Sequence, residues 1–160
     1  MAKTDRYVHP RLRNAKNRGV WAESAFMTKA LGLGLTVCKP VGDNEPFDFV
    51  VFNMRRAVNR VQVKSVWAHW GRRYFAGGTR GRVYKPSEVD FLVVVIPRVD
   101  AWYIIPIDAI KNVRLPSFSP HIPNSKGRFE KYRDAWHLLT GDEPGAWARY
   151  QRFTIHAEAE

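Results

Sequence analysis

Apolar residues recur at helical spacing from Val20: Val20, Ser24, Met27 and Leu31 make one stripe, with Trp21, Ala25 and Phe26 alongside. Glu23 falls at the edge of that stripe, and Gly32 and Gly34 mark the helix end. The pattern then changes to strand-like runs at residues 35–41, 47–52 and 57–67. Gly42-Asp43-Asn44-Glu45-Pro46 predicts the first turn between them and Asn53-Met54-Arg55-Arg56 the second. Residues 68–85 read as a glycine-rich loop. Residues 90–96 are apolar at every position after Asp90, as a central strand covered on both faces would be, and residues 100–105 predict its partner. A short helix is expected at 107–113 and a loop at 115–127. Phe129, Tyr132, Trp136 and Leu139 then predict a last helix over 128–139, stopped by Gly141. Helix, three strands, loop, two strands and helix argue for one α/β sandwich on a mixed sheet.

Composition narrows the partner more than the fold. The 160 residues suit one domain, and the apolar fraction of 45% with 13% aromatics gives it a core. The expected organisation is a basic N-terminal arm at 1–18, a domain at 19–141 and a C-terminal extension at 142–160. A formal charge of +11 and a pI near 10.2 favour a polyanionic partner, nucleic acid rather than membrane. The single Cys38 excludes an internal disulfide framework and a cysteine-rich zinc site, and it reads as a small buried strand residue. No apolar run reaches transmembrane length, and Met1-Ala-Lys-Thr-Asp-Arg lacks the apolar core of a secretory signal. The expected setting is a reducing cytoplasm, at the nucleoid.

Four side chains and one backbone carbonyl on these elements carry chemistry. Asp48 opens the second strand, and Gln62 and Lys64 share one face of the third because alternate strand residues point the same way. Mg²⁺ takes hard oxygen ligands, commonly one or two carboxylates completed by substrate phosphate. Asp48 can give a carboxylate, Gln62 a neutral side-chain oxygen, and Val63 a backbone carbonyl. Glu23, from the helix packed on the sheet, can reach a metal-bound water or a second metal. Lys64 would orient water or stabilise charge on phosphorus.

Glu23, Pro46-x-Asp48 and Gln62-x-Lys64, in that order, resemble the PD-(D/E)XK nuclease superfamily from about residue 19 to 105. Within it the chain looks most like the small intron-encoded homing endonucleases, and less like archaeal Holliday-junction resolvases or type II restriction enzymes. The resemblance implies a single-domain αβββαβ, restriction-endonuclease-like core with a mixed central sheet flanked by helices. It also implies cleavage of double-stranded DNA with Mg²⁺, or Mn²⁺ in its place, and Glu23, Asp48, Gln62 and Lys64 as catalytic residues. Two departures stand out: one residue separates Pro46 from Asp48, and Gln62 replaces the second acid.

The 68–85 loop mixes arginines with Tyr74, Phe75 and Tyr84, and Arg72, Arg73, Arg80, Arg82 and Lys85 are its candidate DNA contacts. Arg11, Arg13, Lys16 and Arg18 in the arm, and Arg55 and Arg56 at the hairpin tip, are candidates for phosphate. The five histidines show no zinc-ligand spacing, although His69 lies close enough in sequence to Lys64 to contact phosphate. Cutting both strands with one site per chain calls for a homo-oligomer, a dimer or tetramer, and Trp136, Trp147, Tyr150 and Phe153 either offer an interface or pack back on their own core. Three competing readings are a catalytically lapsed DNA-binding protein, a Holliday-junction resolvase and an RNA-binding protein.

Overall fold

The computed structural model describes residues 9–76, 83–110 and 112–146. After a 3-10 turn at Pro10–Arg13, helix α1 (Ala15–Gly32) begins where the Asn14 carboxamide accepts the Lys16 N–H at 2.7 Å. A side-chain cap of this kind sets a helix start. The helix therefore takes in residues 15–18, which the sequence pattern left in a basic arm. Its buried line is also rotated from the expected stripe. Ala22, Phe26 and Ala30 are buried, whereas Val20, Met27 and Leu31 are 55%, 39% and 54% exposed. Two alanines let the helix approach the sheet, and Phe26 fills the space between them against Phe49 and Trp136, with ring centroids 5.3 and 6.1 Å away.

Among the described residues eight strands follow: β1 (Thr36–Cys38), β2 (Phe49–Phe52), β3 (Val58–Ser65), β4 (His69–Trp70), β5 (Arg73–Phe75), β6 (Phe91–Ile96), β7 (Ala101–Pro106) and β8 (Ser117–Phe118). A five-stranded sheet has the order β1-β2-β3-β6-β7, with only β3 and β6 parallel; β4, β5 and β8 form a small second sheet. The fold is the mixed α/β, restriction-endonuclease-like one. In the parallel link from β3 to β6, the described residues form the β4–β5 hairpin and one helical turn closed by Val89 N–H on the Lys85 carbonyl at 3.1 Å. The stretch expected to be loop at 68–85 thus contains two strands, and no long helix occupies that link among the described residues. Cys38 is exposed rather than buried, because β1 is an edge strand and only Val37 between its two outer neighbours turns toward the core.

The sheet carries a core on each face. Toward α1 lie Phe49, Val51, Val61, Val63, Val93, Val95, Trp102 and Ile104. Toward the small sheet and α2 (Ile107–Ile110) lie Leu92, Val94, Ile96, Tyr103, Ile105, Tyr74 and Phe118. The continuous apolar run of β6 is explained by this double coverage.

The last predicted helix is broken. Glu130–Tyr132 is a 3-10 turn, Asp134 has φ 49°, and only His137–Thr140 (α3) is α-helical. Phe129 packs on one face of the sheet and Trp136 and Leu139 on the other, so the chain must round the edge of β7 between them. It does so through a bridge of Arg133 to Tyr103 and a 2.7 Å bond from Asp134 N–H to the Trp102 carbonyl, which cover that edge. Trp136 is fully buried in this arrangement and is unavailable as an interface residue; Trp147, Tyr150 and Phe153 lie outside the described residues.

Candidate active site

β3 places the chemistry by alternation. Val61 and Val63 face α1, and Gln62 and Lys64 face the other side, opposite Leu92 and Val94 of β6. Asp48 stands just before β2 and is tied to β3: its N–H donates to the Val61 carbonyl at 2.9 Å. Its Oδ2 accepts from Gln62 Nε2 at 2.5 Å and from Val63 N–H at 2.7 Å. Gln62 Nε2 also donates to the Val63 carbonyl at 3.3 Å. One nitrogen thus stands between the Asp48 carboxylate and the Val63 carbonyl, so both oxygens face a single point. Half a turn of the amide would bring its own oxygen to that point.

Glu23 joins from α1. Its Oε2 lies 2.6 Å from Lys39 Nζ, and its charge is among the influences that raise the Asp48 pKa. Burial is the largest of those influences. The Val63 N–H, the Lys64 ammonium and the Gln62 amide pull the other way, and the net effect is an Asp48 carboxyl above its ordinary value. Lys39, bonded to Glu23, is itself raised. Lys64 Nζ sits 5.7 Å from the Tyr84 ring centroid. It lines a cavity with Tyr84, Leu92, Ile107 and Arg114.

Asp48, Gln62 and the Val63 carbonyl are thus brought into hydrogen-bond contact, while Glu23 and Lys64 lie near enough for their charges to act on Asp48. Their donors are hard oxygens with an ammonium beside them, which suits a small divalent cation. Among the described residues no three His, Cys, Asp or Glu side chains gather as metal ligands. The carboxylates here are two, and an amide and a backbone carbonyl make up the rest.

The basic candidates divide. Arg13 and Arg18 lie near the site end of β3: Arg18 Nη1 donates to the Arg13 carbonyl at 3.0 Å, and Ser65 Oγ donates to the Arg18 carbonyl at 3.4 Å. Arg11 and Lys16 are exposed at the same end of α1. Arg72 and Arg73 are exposed on the β4–β5 hairpin that follows β3, and Lys85 is exposed next to Tyr84. Arg55 and Arg56 are exposed at the other end of the β2–β3 hairpin, more than four strand residues or about 13 Å from Asp48. The structure does not bring these two to the site. Arg80 and Arg82 lie outside the described residues. His69 hydrogen-bonds Arg98 Nη1 at 2.9 Å and the Gly71 carbonyl at 3.0 Å.

Lys39 is the site residue that sequence reading missed. The β1–β2 pairing of Cys38 with Val50, continued by one residue, sets Lys39 opposite Phe49, and its Nζ lies 5.7 Å from that ring. Pairing the first two predicted strands would have placed it beside Asp48.

A mixed sheet with a helix acid, an aspartate at the head of the second strand and an amide–ammonium pair on the third is the arrangement expected of the restriction-endonuclease-like class. The chain belongs to the PD-(D/E)XK endonuclease family, whose model matches residues 13–139. Among solved structures it is similar to the bacterial homing endonuclease I-Ssp6803I: TM-score 0.69 and 28% identity over 80% of this chain and 92% of that one. No match is found among curated proteins. No helix among the described residues is long and apolar enough to cross a membrane.

Proposed function

We propose that this nuclease hydrolyses phosphodiester bonds of double-stranded DNA with Mg²⁺, in the manner of a homing endonuclease. The observation that carries the reading is the convergence of the Asp48 carboxylate and the Val63 carbonyl on the Gln62 amide, with Lys64 on the same strand. Asp48, the Val63 carbonyl and the Gln62 side-chain oxygen would hold the cation, with Mn²⁺ able to replace Mg²⁺, and Glu23 would add a second carboxylate. When bound, such an ion supplies Lewis acidity to the scissile phosphate and lowers the pKa of an attacking water. Lys64, its Nζ 5.7 Å from the Tyr84 ring centroid, holds positive charge where negative charge grows on the phosphoryl oxygens. Lys39 fixes Glu23 so that its carboxylate can orient water. Arg13, Arg18, Arg72, Arg73 and Lys85, on the site side of the molecule, meet phosphates.

The homing role is supported by the 28% identity to I-Ssp6803I, a bacterial homing endonuclease. One site per chain makes a dimer or larger homo-oligomer the cutting form, and the +11 charge favours action at the nucleoid.

Plasmid cleavage tests the reading. Purified protein should give nicked and linear products in Mg²⁺ and none in EDTA, while Asp48→Ala and Lys64→Ala should leave the plasmid intact. Identical products from all three proteins would sink it. A second reading, DNA binding without cleavage, draws on Gln62, whose amide nitrogen already satisfies both Asp48 and Val63. Isothermal titration with Mg²⁺ or Mn²⁺ separates the two, since a lapsed site gives no binding that depends on Asp48.

A further inference from the structure

Next to the cavity lined by Lys64, the small sheet and the segment after α2 enclose a groove of about 440 Å³, large enough for a phosphate and its sugar. Arg73, Lys126 and Arg128 line it, together with Ser117, Ser119 and Ser125. No carboxylate is among the described residues that line it. The nearest acid in sequence, Glu130, is turned into the wall: its Oε1 accepts the Tyr103 hydroxyl at 2.9 Å and the Ser119 N–H at 3.3 Å.

The wall is also fixed in advance. Arg72 Nη2 donates to the His121 carbonyl at 2.8 Å, and Arg133 Nη1 donates to the Pro120 carbonyl at 3.2 Å, from the two sides of the same loop. Preformed walls reduce the entropy lost on binding. Arginine, lysine and serine side chains are the groups that bond phosphate and sugar oxygens in nucleic-acid complexes. The groove shares Val113 and Pro116 with the cavity lined by Lys64, Tyr84 and Arg114. One short segment of chain therefore separates it from the candidate active site.

We infer that this groove binds the sugar–phosphate backbone of duplex DNA beside the cleaved bond, with Arg73 and Lys126 pairing phosphates and the serine hydroxyls donating to their oxygens. Its ligand rests on the nuclease reading; its location does not. Each phosphate neutralised on duplex DNA releases counterions and adds about 0.9 to the slope of log affinity against log salt.

The test is fluorescence anisotropy of a labelled duplex of about 30 base pairs with the full chain in EDTA, between about 50 and 200 mM KCl. Arg73→Gln/Lys126→Gln should lower the slope by about 1 to 2. Arg55→Gln/Arg56→Gln removes the same charge at the far hairpin and should lower it by less than half as much. Circular dichroism melting checks the fold of each, and Lys126→Glu alone repeats the measurement if the double variant melts early. An unchanged slope in the groove variant, an equal fall in both, or no duplex binding by the wild type overturns the inference. Plasmid cleavage in Mg²⁺ is scored separately. Binding with the expected slopes but no product removes the nuclease reading and leaves the groove, and product with an unchanged slope does the reverse.

Discussion

Two aspartates are clipped to β3 from opposite sides, and they behave in opposite ways. Asp90, just before β6, meets a guanidinium: Arg60 Nε and Nη2 reach its two oxygens at 3.0 and 2.9 Å, and the Arg60 N–H adds a bond at 2.7 Å. Arg60 also donates to the Pro86 carbonyl at 3.0 Å and to the Ser87 carbonyl, so the pair fastens the end of the β3–β6 link. The bonded guanidinium holds the Asp90 carboxyl below its ordinary value. Asp48, among the described residues, accepts from a neutral amide and a backbone N–H, and burial raises it although the Lys64 charge opposes the shift. A carboxylate that a protein wants for its fold is given a full charge. One wanted for binding is buried beside groups that a cation can displace, and the fold carries the cost.

The largest expected break in this comparison is in activity. Asp48→Asn should lower Mg²⁺-dependent cleavage by about a thousand-fold or more, whereas Asp90→Asn should keep a rate near wild type, both read by single-turnover cleavage of one labelled duplex. Equal losses would mean that the two carboxylates do not divide as described. The next largest effect concerns the apolar face on which Asp48 depends. Phe26→Ala, at a fully buried ring against Phe49 and Trp136, should cost about 3–5 kcal/mol in urea denaturation. A loss below about 1 kcal/mol would mean that α1 is not seated there as described.

The smallest effects have opposite signs, and pH tells them apart. At pH 7 Asp90→Asn should destabilise by about 1 kcal/mol, kept small because its side chain is 34% exposed. A depressed carboxyl stabilises the fold above its unfolded value of 3.8, and that stability is lost as pH falls through the folded value. The difference between wild type and Asp90→Asn should therefore close below about pH 4. Asp48 is raised, so its folded form binds the proton more tightly and loses stability as pH rises from 3.8 through the folded value. Asp48→Asn should accordingly melt above wild type at pH 7 in EDTA, by less than about 1 kcal/mol, and the gain should vanish in acid. Denaturation curves at pH 3 and pH 7 read both variants; a shared sign would remove the contrast.

Much of the fold was legible along the chain because strands and turns announce themselves locally. The alternation of β2 and β3, the two-sided apolar run of β6 and the partner strand β7 all stand within one or two residues of their sequence limits. What local pattern could not show was which neighbour each side chain meets. Val20, Met27 and Leu31 have the spacing of a buried stripe, yet the line that packs is Ala22–Phe26–Ala30, because close approach to a flat sheet favours small residues around one ring. Phe129 and Trp136 share a helical period but serve cores on opposite faces, which no continuous helix could reach.

By itself the sequence determined the order of α1, β1, β2, β3, β6 and β7 and the basic character, and it singled out Glu23, Asp48, Gln62 and Lys64 as candidates, since spacing along a strand fixes which residues share a face. Only the tertiary structure decided that Asp48 and Val63 converge on the Gln62 amide, that Lys39 is bonded to Glu23, and that Arg55 and Arg56 stand away from them. It also decided that Arg73, Lys126 and Arg128 line one groove. Those placements depend on which strands pair and how the chain rounds the sheet edge. Burial of both sheet faces sets them, and it acts between residues far apart in the chain.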